Sequence, residues 1–294
     1  MILVTTPTGD IGSRVLRSVL DAGRDVRIIV RDPGRLSEDV RDRAQVVEGS
    51  HADPDVISAA LSGVESVFWL PPGDPGEPSA HSAYVAFSQA FSDALRSSSA
   101  THVVGVSALG RDWPKPAGLV TASLKMDDMI GETGVNYRAL ACASLMDNML
   151  RQAKPIMDNS VFYQPTPGDL KLPHLAKADV ARVAVNFLTD TGWRGVEDIP
   201  LYGPEDLTFE EITAIMSSAL DRPIGFQEMS MDQFEGMMQA IGASVGMTSG
   251  YVEMLTAKNE GMDKVPEGAS RSNTPTTFKI WCETEFRPAL TPAG

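Results

Sequence analysis

The first fifteen residues, MILVTTPTGDIGSRV, constrain this chain more than any other stretch. A short apolar run meets a Thr/Pro/Gly turn and then the start of a helix. Gly9 and Gly12 stand three apart, where the backbone must turn sharply and the N–H groups opening the next helix are bare. Those donors, with the helix dipole behind them, favour a phosphate. A second strand, Asp25 to Val30, follows one helix length later, which is the spacing of a dinucleotide-binding βαβ unit. Thr6, Thr8, Gly9, Asp10, Ile11 and Gly12 are the expected pyrophosphate turn.

Between these strands Ile11, Val15, Leu16, Val19 and Leu20 recur at helical spacing, and Gly23 closes the helix. In such a unit the residue ending the second strand meets the adenosine ribose. An acid there pairs with a free 2′-hydroxyl, whereas a basic group accommodates a 2′-phosphate. Here Val30 is followed by Arg31, with Arg35 close behind, which reads as a preference for NADP(H). Asp32 is the rival: a shift of one residue in register would put a carboxylate at the ribose and favour NAD. Its other reading is a turn-opening Asp before Pro33-Gly34.

Downstream, strand-like runs at Ala44 to Gly49, Ser66 to Leu70, Val103 to Val106 and Val135 to Ala141 alternate with helical patterns. The helices are expected at Val56 to Leu61, Tyr84 to Leu95, Leu119 to Ile130 and Ser144 to Leu150. This alternation predicts an α/β fold, a Rossmann-type doubly wound parallel sheet with helices on both faces. Leu70 closes the fourth strand and joins the cofactor-binding set; the Pro- and Gly-rich loop from Pro71 to Ser79 is a candidate rim. Past Arg151 the rhythm breaks and Gln164 to Pro173 is rich in Pro and Gly. The expected division is residues 1–154 as the NAD(P)-binding unit and 155–294 as a smaller C-terminal α+β substrate region, with 175–190 packing back on the first. Thr208 to Leu220 reads as a helix entered through a capping box of Thr208 and Glu211. Met229, Met231, Met237, Met238, Met247 and Met254 suit either an irregular core or a lid over a flat apolar ligand.

The formal net charge of −14 argues against nucleic acid, because phosphate-backbone binding needs clustered Lys and Arg. A dinucleotide is compatible with it, since backbone N–H groups and one or two arginines suffice. No apolar run nears the roughly 20 residues of a membrane span, and no basic segment precedes the first strand, so a cytoplasmic protein without a membrane anchor is expected. Cys142 and Cys282 lie far apart with no metal-ligand spacing around them, which fits a reducing compartment and no metal site.

The order of these pieces resembles the NmrA-like group of atypical short-chain dehydrogenase/reductases. The matching stretches are ILVTTPTGDIGSRV, VRIIVRDP, VVEGSHADPDVISAALSGVESVFWL, HVVGVSALG, YRALACASLMDNML, HLAKADVARVAVNFL and LYGPEDLTFEEITAIMSSAL. The resemblance implies a redox-sensing regulator, a quinone or azo reductase, or a tailoring enzyme of aromatic polyketides. The chain departs from the family at the first turn position, usually Gly and here Thr6, and at Ser50-His51, where an Asp often meets the adenine; His51 reads as an exposed loop residue. Ordinary short-chain dehydrogenases use Ser, Tyr and Lys, with Tyr four residues before Lys. Aligning Lys125 with that Lys places Thr121 at the Tyr position and Ser107 near the Ser. These three are the candidate catalytic residues, and the resemblance implies that Lys125 reaches the nicotinamide ribose.

A threonine hydroxyl is a far poorer proton donor than a phenol of pKa about 10. Hydride transfer then suits acceptors whose reduced oxygen is itself a stable anion. The expected activity is NADP(H)-dependent reduction of quinone-like aromatics, with a pocket between Trp69, the segment Ser107 to Trp113 and the Met-rich region. NADPH-driven coupling of aromatic polyketide rings and non-catalytic NADP sensing are the alternatives. The expected partner is a small aromatic molecule; the oligomeric state is open.

Overall fold

The apolar runs assemble into a seven-stranded sheet in the order β3-β2-β1-β4-β5-β6-β10, every adjacent pair parallel. Its strands are β1 (Ile2–Val4), β2 (Val26–Val30), β3 (Ala44–Glu48), β4 (Ser66–Trp69), β5 (His102–Ala108), β6 (Asn136–Cys142) and β10 (Val196–Leu201). The computed structural model describes residues 1–291. Helices cover both faces, so the central strands carry apolar residues on both sides. On one face α1 (Asp10–Asp21) and α7 (Lys177–Thr189) bury Val15, Leu16, Val19, Val180 and Ala184. On the other, α3 (Pro54–Leu61), α4 (Phe87–Leu95) and α5 (Leu119–Gly131) bury Ile57, Phe91, Met126 and Ile130. The strand order reverses between β1 and β4, which is where open α/β sheets bind ligands at the carboxyl ends of their strands.

The later part of the chain builds a third core from Met146, Ile156, Phe162, Met216, Phe278 and Trp281. It carries a two-stranded parallel pair, β8 (Val161–Gln164) with β12 (Gly225–Glu228), and a three-stranded sheet of β7 (Ser144–Leu145), β9 (Leu172–Leu175) and β11 (Asp206–Leu207). The helix α8 (Phe209–Leu220) starts in a complete capping box between Thr208 and Glu211. From beyond residue 155, both α7 and the seventh strand β10 return to the main sheet.

Two local expectations fail for identifiable reasons, and a stretch without an expected element holds a strand. Ser144 to Leu150 is not an α-helix: Ser144 and Leu145 extend to pair with His174 and Leu175 of β9, and a 3₁₀ segment, Met146–Gln152, follows. The Pro- and Gly-rich stretch after Gln164 contains a real strand, because Leu172–Leu175 is buried at every position between β7 and β11. His51 is not an exposed loop residue. It is 8% exposed, its ring edge-on to Trp69 at 5.4 Å and to Phe87 at 4.8 Å between centroids.

Candidate cofactor and substrate site

Strand β1 delivers the chain into the turn before α1. Thr6 adopts φ +47°, a left-handed backbone that a β-branched residue enters only with strain. The carbonyl of Thr6 accepts from Gly9 N at 3.0 Å and closes the loop. A β-carbon on Gly12 would lie 2.0 Å from the Thr6 oxygen, so only glycine lets α1 pack this closely on the turn. Gly9 is the N-cap of α1, and no side chain caps that helix. Its first N–H donors are left for an external acceptor. The Thr6 hydroxyl is also buried without a partner. An uncapped helix start and a cradle that a β-carbon would fill together fit a pyrophosphate.

Around this turn Thr8 and Asp10 are exposed and Ile11 is buried. Asp10 brings a carboxylate to the helix start, where Lys177 of α7 holds it at 2.6 Å. That hydrogen bond and charge keep the carboxyl below its usual range. What Asp10 can offer an anion is its backbone N–H. The Lys177 ammonium, with its side chain only 11% exposed, offsets the charge that would otherwise repel phosphate. Nothing in the sequence pattern singled Lys177 out, since it reads as an ordinary first-turn helix lysine.

At the end of β2, Arg31 and Arg35 are both exposed. Neither enters an ion pair with another described residue. Asp32, the rival at the ribose, accepts from Gly34 N at 2.9 Å and caps the short helical turn Pro33–Arg35. One of its oxygens serves that turn. Leu70 follows β4, its N–H donating to the Thr5 hydroxyl at 3.0 Å, which ties the ends of β1 and β4 together. The Leu70 backbone also meets His51, whose burial pushes the imidazole down to about 4.

The three candidate catalytic residues do not come together. Ser107 lies under α5, 7% exposed, donating its hydroxyl to Asp127. Asp127 also accepts the Tyr137 hydroxyl at 2.5 Å, and burial pushes its carboxyl up to about 7 against those two bonds. Lys125 is exposed on the opposite side of the same helix, two residues from Asp127. Thr121 accepts from Ala117 N at 2.8 Å. Thr121 and Lys125 share a groove of about 400 Å³ with Arg111, Trp113 and Asp128. Arg111 forms ion pairs with both Asp128 and Asp198. Trp69 cannot wall a pocket: it is fully buried, stacked on Phe91 at 3.8 Å, with its indole N–H on Ser88.

The Met-rich region packs on the loop after β4 and on α5, with Met238 and Met247 buried. It comprises α9 (Met231–Ala240) and α10 (Val245–Asn259). The hydroxyl of Ser244, N-cap of α10, donates to Glu77 O at 2.5 Å, and its N–H donates to Pro75 O at 3.0 Å. The loop after β4 is thereby pinned beneath α10. Gly118 and Gly250 touch backbone to backbone, a β-carbon on Gly118 falling 2.0 Å from Gly250 O. Among the described residues no cluster of His, Cys, Asp or Glu could hold a metal ion, and no helix is long and apolar enough to cross a membrane.

A sequence model described as NAD(P)H-binding matches residues 7–191, which spans the turn, Arg31, Leu70 and α5. The chain belongs to this NAD(P)H-binding family. Within it, the chain is 27% identical over 254 residues to an NAD(P)H azoreductase of Xenophilus azovorans, covering 86% of each protein. It is 33% identical over 234 residues to a (4-alkanoyl-5-oxo-2,5-dihydrofuran-3-yl)methyl phosphate reductase of Streptomyces griseus, covering 79% of this chain and 78% of the relative. The fold is that of an NADPH-dependent quinone oxidoreductase of Escherichia coli solved with NADPH, with a TM-score of 0.80 at 20% identity over 97% of this chain and 100% of that one. This member of the family is an NAD(P)H-dependent oxidoreductase.

Proposed function

We propose that the chain is an NADP(H)-dependent reductase of quinone-like, conjugated aromatic acceptors. The observation that carries the cofactor half is the end of β2, where Asp32 is committed to Gly34 N while Arg31 and Arg35 stand exposed. Guanidinium groups suit a 2′-phosphate, and one oxygen of the rival Asp32 already accepts from its own turn. The pyrophosphate is assigned to the bare N–H groups of α1 and to the turn from Thr6 to Gly12.

The acceptor class follows from what the site lacks. Thr121 stands where a phenol would, and although its O–H stays free after accepting from Ala117 N, an aliphatic hydroxyl is too weak an acid to serve as the proton donor. Ser107 is turned under α5 toward Asp127. Neither group supplies a proton to an alkoxide, so the acceptor must stabilise its own charge; a reduced quinone does, as a phenolate of pKa about 10. The names of the relatives point to an azo compound, a quinone and an oxo-dihydrofuran conjugated with an alkanoyl group. All three are electron-poor π systems. The chain's own contribution is binding, orientation and exclusion of water by the Met-rich cover. Ser107, Thr121 and Lys125 carry no step in this scheme.

The test is consumption of NADPH, followed by nicotinamide absorbance, against a panel of benzoquinones and naphthoquinones. Oxidation dependent on quinone supports the proposal. Absence of oxidation with every acceptor turns the protein into a cofactor-binding sensor, and a product of twice the acceptor's mass turns it into a coupling enzyme.

A further inference from the structure

Lys258 is a lysine that the fold hides. It lies in the last turn of α10 and is 9% exposed. Its ammonium forms an ion pair with Asp263, itself 1% exposed, and donates to the Ser144 hydroxyl at 3.3 Å. Ser144 is two residues past β6 and therefore at the carboxyl edge of the sheet. With the adenosine half over β2 and β3, the other end of a dinucleotide points along the sheet toward β5 and β6. Lys258 thus lies at the β6 end of that edge.

The hydrogen bonding around this ammonium is incomplete. It has three donors and two described acceptors. Asp263 Oδ1 and the Oδ1 of the adjacent Asn259 are both buried without a donor. Buried polar atoms in native proteins are nearly always satisfied, so the third ammonium N–H marks a place for an acceptor atom, while the two orphaned oxygens need donors such as water. Above it Met262 contacts Gly110 and packs with Val120 and Ala257, which supplies apolar surface beside the polar spot.

We infer that Lys258, braced by Asp263 and Ser144, receives the acceptor oxygen as it becomes negative. The inference deepens the reductase proposal and rests on it. The acceptor gains a hydride from reduced NADP, the electron pair displaced by that hydride settles on the carbonyl oxygen, and water supplies the proton that completes the product. NADP leaves oxidised by two electrons, and Lys258 stays protonated throughout. The alternative role is a clamp that only ties α10 to the strand end.

A paired substitution, Lys258→Met with Asp263→Asn, removes both charges at similar volume and strands neither. The probe is 1-naphthol, a flat phenol that cannot accept hydride, bound in the presence of NADP⁺ and titrated with its ionisation read by absorbance. On the parent protein it should ionise about one pH unit below its free value, because a nearby cation favours the anion. The shift should vanish in the paired variant and persist in Lys258→Arg. Quinone-dependent kcat/KM should fall about a hundredfold in the paired variant, the scale of losing one charge-stabilising donor. Its NADP affinity and melting temperature should stay near those of the parent.

Naphthol that fails to bind the parent, or that ionises at the same pH on parent and variant, overturns the inference and leaves Lys258 a clamp. A parent that shifts the naphthol ionisation yet oxidises no NADPH with any quinone supports the oxyanion site and sinks the reductase reading instead.

Discussion

Gly12 and Thr6 approach so closely that a β-carbon on the glycine would sit 2.0 Å from the threonine carbonyl oxygen. Gly12→Ala must therefore push α1 off the turn, at a cost of about 1–3 kcal/mol for overpacking. Thermal melting should show that loss, and NADP binding should fall at least tenfold because the N–H groups move with the helix. An alanine variant with parental stability and affinity would mean the turn adapts and does not set the phosphate geometry.

Thr6 gives the opposite expectation. Its φ of +47° is costly for a β-branched residue and natural for glycine. Thr6→Gly should stabilise the protein by up to about 1 kcal/mol through relieved strain, and should tighten NADP binding by opening the approach to the turn. Weaker binding in this variant would show that the orphaned Thr6 hydroxyl is itself a phosphate ligand.

Asp127 makes stability depend on pH in an unusual direction. Burial raises its carboxyl from 3.8 to about 7, so between those values the folded protein holds a proton that the unfolded chain has released. That contribution is full below the unfolded value and is lost as pH rises toward 7. At roughly 1.4 kcal/mol per unit, the swing is a few kcal/mol. Asp127→Asn should flatten this part of the stability curve and raise the melting temperature above pH 8. A melting curve with unchanged pH dependence would place the carboxyl in the ordinary range.

The buried imidazoles of His51 and His174 act in reverse. Burial pushes each from 6.5 down to about 4, so the unfolded chain takes up protons first as the solution is acidified. Their stabilisation is present above 6.5 and is lost as pH falls toward 4. His51→Phe, which keeps a ring between Trp69 and Phe87, should make the protein less acid-sensitive in urea titrations at pH 5; equal sensitivity would contradict the burial argument.

What the sequence disclosed was local. The glycine spacing, the alternation of strand and helix and the capping box at Thr208 are written in neighbouring residues, and each is decided by backbone geometry within a few positions. Asp32 could be weighed against Arg31 for the same reason, since Gly34 lies two residues away. The site's second half depends on contacts across long separations. Asp127 meets Ser107 and Tyr137 only after α5 folds over β5 and β6, and Lys258 reaches Ser144 across 114 positions. His51 is polar and follows a glycine, so pattern alone reads it as loop; two aromatic rings from β4 and α4 bury it. The strand at Ser144–Leu145 is likewise set by its partner β9 and not by its own residues.

Titration calorimetry with NADP⁺ and NAD⁺, on the parent protein and on Arg31→Asp, tests the central claim most directly. The parent should bind NADP⁺ at least tenfold more tightly than NAD⁺, which is about 1.4 kcal/mol and within the reach of one guanidinium–phosphate contact, and the variant should reverse that order. Binding of neither dinucleotide by the parent, or a preference unmoved by the substitution, would contradict the account.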